Sequence, residues 1–173
     1  MSIIIVLASS RRNGNTAKLA EVVAAPLNAT IMDLNDFNIS CFDYAHDNRE
    51  DDFIGVIEKL VQARRVIFAT PVYWYAMSAQ LKIFFDRFTD LLTINKSLGR
   101  KLRGLNIAVM ATGTDTELPA SFSLQFELIA RYLGLELQQQ LYCCCPAEFV
   151  LHEHKTSIDD FIRTIVSPTH ELE

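Results

Sequence analysis

The sequence has no excess of basic residues, since 16 Lys and Arg stand against 21 Asp and Glu, a formal net charge of −5. Nucleic-acid surfaces and anionic membranes both select clustered positive charge, so this balance argues against either partner. No apolar run approaches the roughly 20 residues that span a bilayer. Because Met1–Ala8 has neither the basic region nor the long apolar region of a secretory leader, we expect a cytoplasmic protein.

The cysteines lack the spacing of a disulfide framework or a zinc site. Cys143, Cys144 and Cys145 are adjacent, and Cys41 stands alone. Neighbouring residues on a strand point to opposite faces, so three adjacent thiols cannot face one ion, and no C-x₂-C pair occurs. We therefore expect no metal site and interpret the three thiols as small buried groups at the end of the last strand.

Three common catalytic or binding motifs are also missing. There is no GxxxxGK[ST] phosphate loop, no GxGxxG dinucleotide fingerprint and no GxSxG nucleophile elbow. These absences argue against P-loop nucleotide hydrolysis, Rossmann-type dinucleotide binding and serine hydrolysis.

Five short apolar runs alternate with amphipathic segments along the chain. The first, third and fourth runs are uninterrupted and rich in apolar residues, which is typical of strands buried on both faces. The second and fifth runs contain more polar residues, which is typical of strands at the edges of a sheet. The alternation predicts a parallel sheet with helices on both faces, in one domain over residues 1–173. The predicted strands are Ile3–Ala8, Thr30–Leu34, Val66–Thr70, Ile107–Thr112 and Leu135–Tyr142.

Apolar residues at helical spacing occupy the intervening segments. The strongest pattern predicts one helix from Met77 to Leu92, and a second pattern predicts a helix that Gly134 ends. The first helix is expected to follow Gly14 and to end near Pro26.

Polar residues near two helix starts give further expectations. The acidic run Asp47–Asp52 predicts a solvated connection whose last residues form a helix's first turn. Ser157 and Asp160 have the spacing of a capping box for the last helix, and His152 and His154 are expected in a polar loop before it.

Open parallel sheets bind ligands at the carboxyl ends of their strands, so the loops after strands one, three and four are the candidate functional loops. The loop after strand one runs into a helix, whose N-terminal N–H groups and dipole favour an anion. A glycine there lets the backbone approach a ligand, and the other side chains offer hydroxyl, amide and guanidinium donors. The loop therefore predicts an anion site, with a polar turn capped by Asn as the alternative. The residues concerned are Ser9, Arg11, Gly14, Asn15 and Thr16.

Three consecutive aromatic residues, Tyr73, Trp74 and Tyr75, occupy the loop after strand three. Aromatic rings are unfavourable in water, so a flat aromatic ligand against this loop would explain them. The alternative is packing on the neighbouring helix or in a subunit contact. After strand four, Gly113 can expose backbone N–H groups toward the edge of such a ring.

The segments ASSRRNGNT (Ala8–Thr16) and PVYWYAMSAQLKIFFDR (Pro71–Arg87) together resemble the NAD(P)H-dependent FMN reductase and quinone reductase family. The resemblance implies a flavodoxin-like three-layer α/β/α sandwich with a five-stranded parallel sheet in the order 2-1-3-4-5. It also implies FMN as cofactor and NADPH or NADH as co-substrate. Position by position, the FMN phosphate would be held by Ser9, Arg11, Gly14, Asn15 and Thr16, the isoalloxazine lined by Pro71, Val72, Tyr73 and Trp74, and its far edge closed by Thr112 and Gly113.

The chain departs from the family pattern in three respects. Ala8 stands where the family usually has Gly, and the loop after strand four reads TGTD in place of a TGG-type segment. The cysteine cluster that one branch of the family uses for iron–sulfur ligation is absent near the second loop.

The resemblance implies that a nicotinamide passes hydride to flavin N5, and that a quinone, an azo or nitro compound, or a flavin then accepts the electrons. No side-chain nucleophile or general base is required, and homodimers are common in the family. One alternative is a flavodoxin-type electron shuttle, but Arg11, Arg12 and the modest charge of −5 disfavour it. Another is a scaffold domain without cofactor, against which the polar phosphate loop argues.

Overall fold

A five-stranded parallel sheet in the order β2-β1-β3-β4-β5 forms the centre of the fold, as the computed structural model shows for residues 2–167. This confirms the predicted flavodoxin-like strand order. The strands are β1 (Ile3–Leu7), β2 (Thr30–Asp33), β3 (Arg65–Pro71), β4 (Asn106–Gly113) and β5 (Glu136–Cys144).

Seven α-helices are assigned within residues 2–167, with two short 3₁₀ turns at Leu34–Asp36 and Arg100–Leu102. The helices are α1 (Asn15–Leu27), α2 (Phe53–Leu60), α3 (Ala79–Asp86), α4 (Phe88–Thr93), α5 (Lys96–Gly99), α6 (Ala120–Leu133) and α7 (Leu151–Val166). None of the helices in this range combines the length and apolarity needed to cross a bilayer.

Alternating side chains of the central strands enter two separate cores. Ile4 and Val6 of β1 pack with α2, α3, α4 and α6 on one face of the sheet. Ile5 and Leu7 pack with α1 and α7 on the other face. Because both faces are covered, every residue of β3 is buried, whereas the edge strands β2 and β5 are partly exposed.

The single helix predicted from Met77 to Leu92 is wrong, because the structure divides it into α3 and α4. The Ser78 hydroxyl accepts a hydrogen bond from Leu81 N, so α3 begins at Ala79. At Arg87 the chain makes a tighter turn, in which Asp90 N donates to Arg87 O at 2.9 Å. The side chain of Arg87, which lies between the two helices, is fully buried.

The capping prediction for the last helix is also wrong, since α7 begins at Leu151. His152 and His154 therefore lie in its first turn rather than in a loop, and Ser157 lies in its interior. The His154 ring stacks on Phe149, two residues before the helix, with centroids 5.7 Å apart. Gly134 ends α6 with a φ of +69°, as predicted.

The acidic run Asp47–Asp52 differs from its prediction in two ways. Helix α2 begins at Phe53, so the acidic residues precede its first turn. Asp51 is not solvated, because its side chain is only 5% exposed and its Oδ2 lies 2.5 Å from Nη1 of Arg87.

A buried ion cluster around Arg87 holds the irregular connection after β2 to the α3–α4 junction. The Arg87 Nε donates to Asp90 Oδ2 at 2.8 Å, and its Nη1 also donates to Ser40 O at 3.1 Å. His46 Nδ1 lies 2.9 Å from Asp90 Oδ1. The guanidinium carbon is 4.8 Å from the centre of the Phe53 ring, so the cluster joins directly to the aromatic core.

The pKa of Asp51 reflects this environment. Burial by itself would raise the pKa, but hydrogen bonds from Arg87 and from the backbone N–H groups of Ser40 and Phe53 outweigh it and hold the pKa below its usual value. A carboxyl with a lowered folded-state pKa stabilises the fold above its unfolded-state pKa. This contribution is therefore present at neutral pH and is lost as the pH falls through the folded-state pKa of Asp51.

Replacing Arg87 with Met is expected to lower the free energy of unfolding by about 3–5 kcal/mol, because two buried carboxylates lose their partner. Urea unfolding at pH 7 measures the loss, which should shrink in acid as Asp51, whose pKa the cluster lowers, becomes protonated. Lys82→Met is the control, since it removes an exposed ion pair with Asp86 that contributes roughly 0.5 kcal/mol or less. Equal losses in the two variants would show that the buried cluster has no special role.

Candidate functional site

A cleft of about 510 Å³ lies at the carboxyl edge of the sheet. It forms where the chain leaves β1 and β3 in opposite directions across the sheet, the switch point at which such folds bind ligands. All eleven residues predicted from the sequence line this one cleft: Ser9, Arg11, Gly14, Asn15, Thr16, Pro71, Val72, Tyr73, Trp74, Thr112 and Gly113.

The cleft end beside β1 is formed by the start of α1. Gly14 precedes this helix, and no side chain caps its first N–H groups. A Cβ atom on Gly14 would lie 3.2 Å from Arg11 Cβ, which is tighter than usual, so the close loop favours glycine. Uncapped N–H groups at the wall of a cleft are suited to an anion.

The two adjacent arginines have different surroundings. Arg12 donates hydrogen bonds to Asp36 Oδ1 at 2.5 Å and to Asn35 O at 3.0 Å, and these bonds connect the loop to the segment after β2. The hydrogen bond and the charge of Asp36 raise the pKa of Arg12. Asn35 Nδ2 also donates to Ser9 O at 2.8 Å. Arg11, by contrast, is exposed at the cleft and has no ion-pair partner among residues 2–167. Arg11 is therefore the side chain with charge to offer a ligand.

Three of the predicted donors are already engaged within the protein, the Ser9 hydroxyl through a long hydrogen bond of 3.4 Å to Arg11 O. Asn15 Nδ2 donates to Ala147 O at 2.8 Å, and Asn15 Oδ1 accepts from Phe149 N at 3.0 Å. The hydroxyls of Thr16 and Thr112 share a buried hydrogen bond of 2.8 Å. Asn15 and Thr16 thus position the start of α1 against β4 and the loop after β5, and the backbone N–H groups remain for a ligand.

The aromatic loop makes a tight turn at the mouth of the cleft. Tyr73 and Ala76 exchange two backbone hydrogen bonds of 2.9 and 3.0 Å. Trp74 and Tyr75 between them have φ values of +48° and +62°, a region that destabilises a non-glycine residue by roughly 1–2 kcal/mol. The alternative in which these two rings pack on a neighbouring helix is wrong, because Trp74 is 92% exposed and Tyr75 61% exposed. The left-handed turn directs them away from the core.

The third wall is shaped by a contact between Gly113 and Tyr142. A Cβ atom on Gly113 would lie 2.7 Å from Tyr142 Oη and 3.3 Å from Val72 Cβ, so a larger residue here would displace the Tyr142 hydroxyl. Burial raises the pKa of Tyr142 to about 12, so its hydroxyl stays protonated and donates to Asp115 O at 2.7 Å. This hydrogen bond keeps the loop after β4 at the edge of the cleft.

Four further residues line the cleft and were not predicted from the sequence: Thr114, Cys145, Pro146 and Ala147. Three of them follow β5, an edge strand that gave no reason to expect a ligand loop. The available signal was positional, since β5 is parallel to β4 and ends at the same edge.

The thiols at the end of β5 are in different positions. Cys143 and Cys145 are buried, and burial raises the pKa of Cys143 to about 12 and raises that of Cys145 as well. Both thiols therefore stay protonated at neutral pH and are weak nucleophiles. Within residues 2–167 no group of three or more His, Cys, Asp or Glu side chains is placed to share a metal ion.

The lining of the cleft thus combines an anion-binding end with an aromatic mouth. No carboxylate or imidazole is among its described lining residues, so neither group is available there as a general acid or base. Such a site is suited to holding a phosphorylated molecule with a planar ring.

Comparison with known proteins agrees with this geometry. The sequence model of NADPH-dependent FMN reductases matches residues 1–136. YwqN of Bacillus subtilis (strain 168), which carries the provisional name of an NAD(P)H-dependent FMN-containing oxidoreductase, is 30% identical over 148 residues, covering 80% of this chain and 82% of its own.

Two solved structures show the same fold. The Trp repressor binding protein from Bacillus subtilis has a TM-score of 0.76 at 24% identity, with 95% of this chain and 98% of that chain covered. An NADPH-quinone reductase from P. pentosaceus has a TM-score of 0.67 at 16% identity, with 97% and 99% covered.

Proposed function

The chain belongs to the NADPH-dependent FMN reductase family, and from that premise we propose that it binds FMN in the cleft and passes electrons from NAD(P)H to a quinone, an azo or nitro compound, or a flavin. The observation that carries the proposal is the uncapped start of α1 beside Arg11, which has no ion-pair partner within residues 2–167, in one cleft with the aromatic turn. YwqN supports the same assignment through its name.

The phosphate end fits FMN in size and charge. A volume of about 510 Å³ falls within the usual range of roughly 300–1,000 Å³ for cofactor sites. The first N–H groups of α1 and the guanidinium of Arg11 would bind the phosphate, since both favour a doubly charged anion. Asn15 and Thr16 would act indirectly, by holding the helix start in place.

The ring end supplies apolar walls and backbone donors. Pro71, Val72, Tyr73 and Trp74 would line the isoalloxazine, and Gly113 with Thr112 would close its far edge. When bound, FMN supplies hydride and electron transfer, chemistry that the side chains of the cleft lack. The residues of the chain bind and orient the ring and leave the cleft mouth open to a second planar molecule.

We also propose that the protein acts in the cytoplasm, where thiols remain reduced. All four cysteines are free, and Cys41 is exposed.

We further propose that the protein is a homodimer joined through an apolar face of α4 and α6. This α4–α6 face carries exposed side chains of Leu92, Leu124, Leu128 and Tyr132 beside a groove of about 720 Å³. Large exposed apolar patches of this kind usually mark contacts with another protein.

Two charged residues on α6 favour a second copy as the partner. Glu127 and Arg131 are exposed, and neither makes an ion pair with another residue in the range 2–167. A two-fold axis near Leu128 would place Glu127 opposite Arg131 of the partner subunit, and Leu128 against its own copy. The face is thus complementary to itself in charge as well as in hydrophobicity.

The phosphate assignment predicts that Arg11→Ala weakens FMN binding by roughly 10- to 100-fold, the effect of losing a hydrogen bond to a charged group. Quenching of Trp74, the one tryptophan of the chain, provides the titration signal. Arg64→Ala, at an exposed arginine next to the opposite end of β3, should leave the Kd unchanged. Riboflavin has no phosphate and should bind both variants like the wild type. Unchanged FMN affinity in Arg11→Ala would remove Arg11 from the site.

The reductase assignment predicts that the FMN-loaded protein oxidises NADPH or NADH when a quinone such as menadione is present. Initial rates at several fixed acceptor concentrations should give the parallel lines of a ping-pong reaction. A yellow protein that oxidises neither nucleotide would indicate an electron shuttle. A protein that stays colourless with added FMN would indicate a domain without cofactor and would contradict the proposal.

The dimer assignment predicts that Leu128→Glu sediments as a monomer of about 19.6 kDa while the wild type sediments at twice that mass. Two buried glutamates at a two-fold contact would repel each other and lose water. Leu151→Glu is the matched control, because Leu151 on α7 is also 45% exposed but lies off this face. A wild type that sediments as a monomer, or a dimeric Leu128→Glu, would overturn the assignment.

A further inference from the structure

The turn at Tyr73–Ala76 is unfavourable to the fold in two ways. Both central residues, Trp74 and Tyr75, adopt left-handed backbone conformations, which type I′ turns normally assign to Asn and Gly. Their rings gain no compensating burial, since they are 92% and 61% exposed. Neither residue type is explained by the local structure.

Contacts from outside hold the turn in this conformation. Ser121 Oγ at the start of α6 donates to Tyr75 O at 3.0 Å, and Tyr73 Oη lies 3.3 Å from Ser10 Oγ in the phosphate loop. At the base of the turn, Ser78 Oγ donates to Ala8 O at 2.9 Å. A strained conformation that several elements maintain together is typical of a functional position.

The position of the turn indicates what the two rings could contact. Trp74 lines the cleft together with Tyr73, and its ring is 92% exposed. Among the described residues that line the cleft only Arg11 is charged, so the surface that the turn offers is planar, aromatic and uncharged. A planar uncharged molecule that enters the mouth would meet the indole face.

We propose that the Trp74–Tyr75 turn determines acceptor specificity, and that it selects planar fused-ring acceptors over single-ring ones by stacking. This inference rests on the proposed reductase function. The strained turn and its exposed rings then present an aromatic surface to the second substrate. A relaxed Asn-Gly turn would not provide this surface.

The test is the double variant Trp74→Asn/Tyr75→Gly, assayed at saturating FMN with menadione, a fused-ring quinone, and with 1,4-benzoquinone, a single-ring one. Relief of strain should raise the Tm by at least about 2–4 °C. The ratio of kcat/KM for menadione to that for benzoquinone should fall roughly tenfold, the scale of a lost aromatic contact. A merely structural role for the turn would not move this ratio.

Asn28→Gly is the matched control, because Asn28 ends α1 with a φ of +46° and lies outside the cleft. It should raise the Tm without changing the acceptor ratio. An unchanged ratio in the double variant would overturn the proposal, and a lowered Tm would overturn its strain argument.

Calorimetric binding of menadione to the FMN-loaded proteins separates this proposal from the reductase assignment. The wild type could fail to oxidise NAD(P)H and still bind menadione at least tenfold more tightly than the double variant does. That result would contradict the reductase function but support stacking of the acceptor on the Trp74–Tyr75 turn. If the wild type turns over both quinones and the two proteins bind menadione equally, only the proposed stacking on the Trp74–Tyr75 turn is contradicted.

Discussion

Parallel pairing of β1, β3 and β4 makes three loops leave the sheet at one edge, and the cleft depends on this constraint. Leu7 pairs with Ala69, and Pro71 pairs with Thr112, so the ends of the three strands lie side by side. Because these strands are buried on both faces, polar groups are placed where the chain leaves the core. The same pairing that builds the core therefore concentrates hydroxyls, N–H groups and a guanidinium at one site.

Much of this arrangement could be predicted from the sequence, because it follows from local patterns. Continuous β-branched runs such as Ile3–Leu7 are hard to place anywhere but in a doubly covered strand, and the loops that follow them are then candidate ligand loops. These local patterns and the family resemblance together predicted eleven of the fifteen cleft residues, and the contacts of those eleven with a cofactor stay a prediction. The single-domain assignment for residues 1–173 also stays a prediction.

The errors arose where distant residues decide the outcome. Nothing near Arg87 indicates that α3 must stop there, since its partner Asp51 is 36 positions away. The role of Asn15 is set by Ala147, 132 positions away. The outward turn at Trp74 depends on Ser121 of α6. Side-chain chemistry identifies the groups that are able to bind a ligand, but tertiary contacts decide which of them remain free. Here such contacts engage Arg12 and leave Arg11 available to a ligand.

The hydrogen bonds from Asn15 to the loop after β5 also bear on when the cleft is completed during synthesis. They join the start of the first helix to residues 147 and 149, near the end of the described chain. A nascent chain that has emerged only as far as β4 therefore has a phosphate loop and an aromatic turn, but lacks the wall that Cys145, Pro146 and Ala147 provide. Cofactor capture on the ribosome would consequently wait for the last strand, and only the completed sheet would gain the stabilisation that a ligand confers on the folded state.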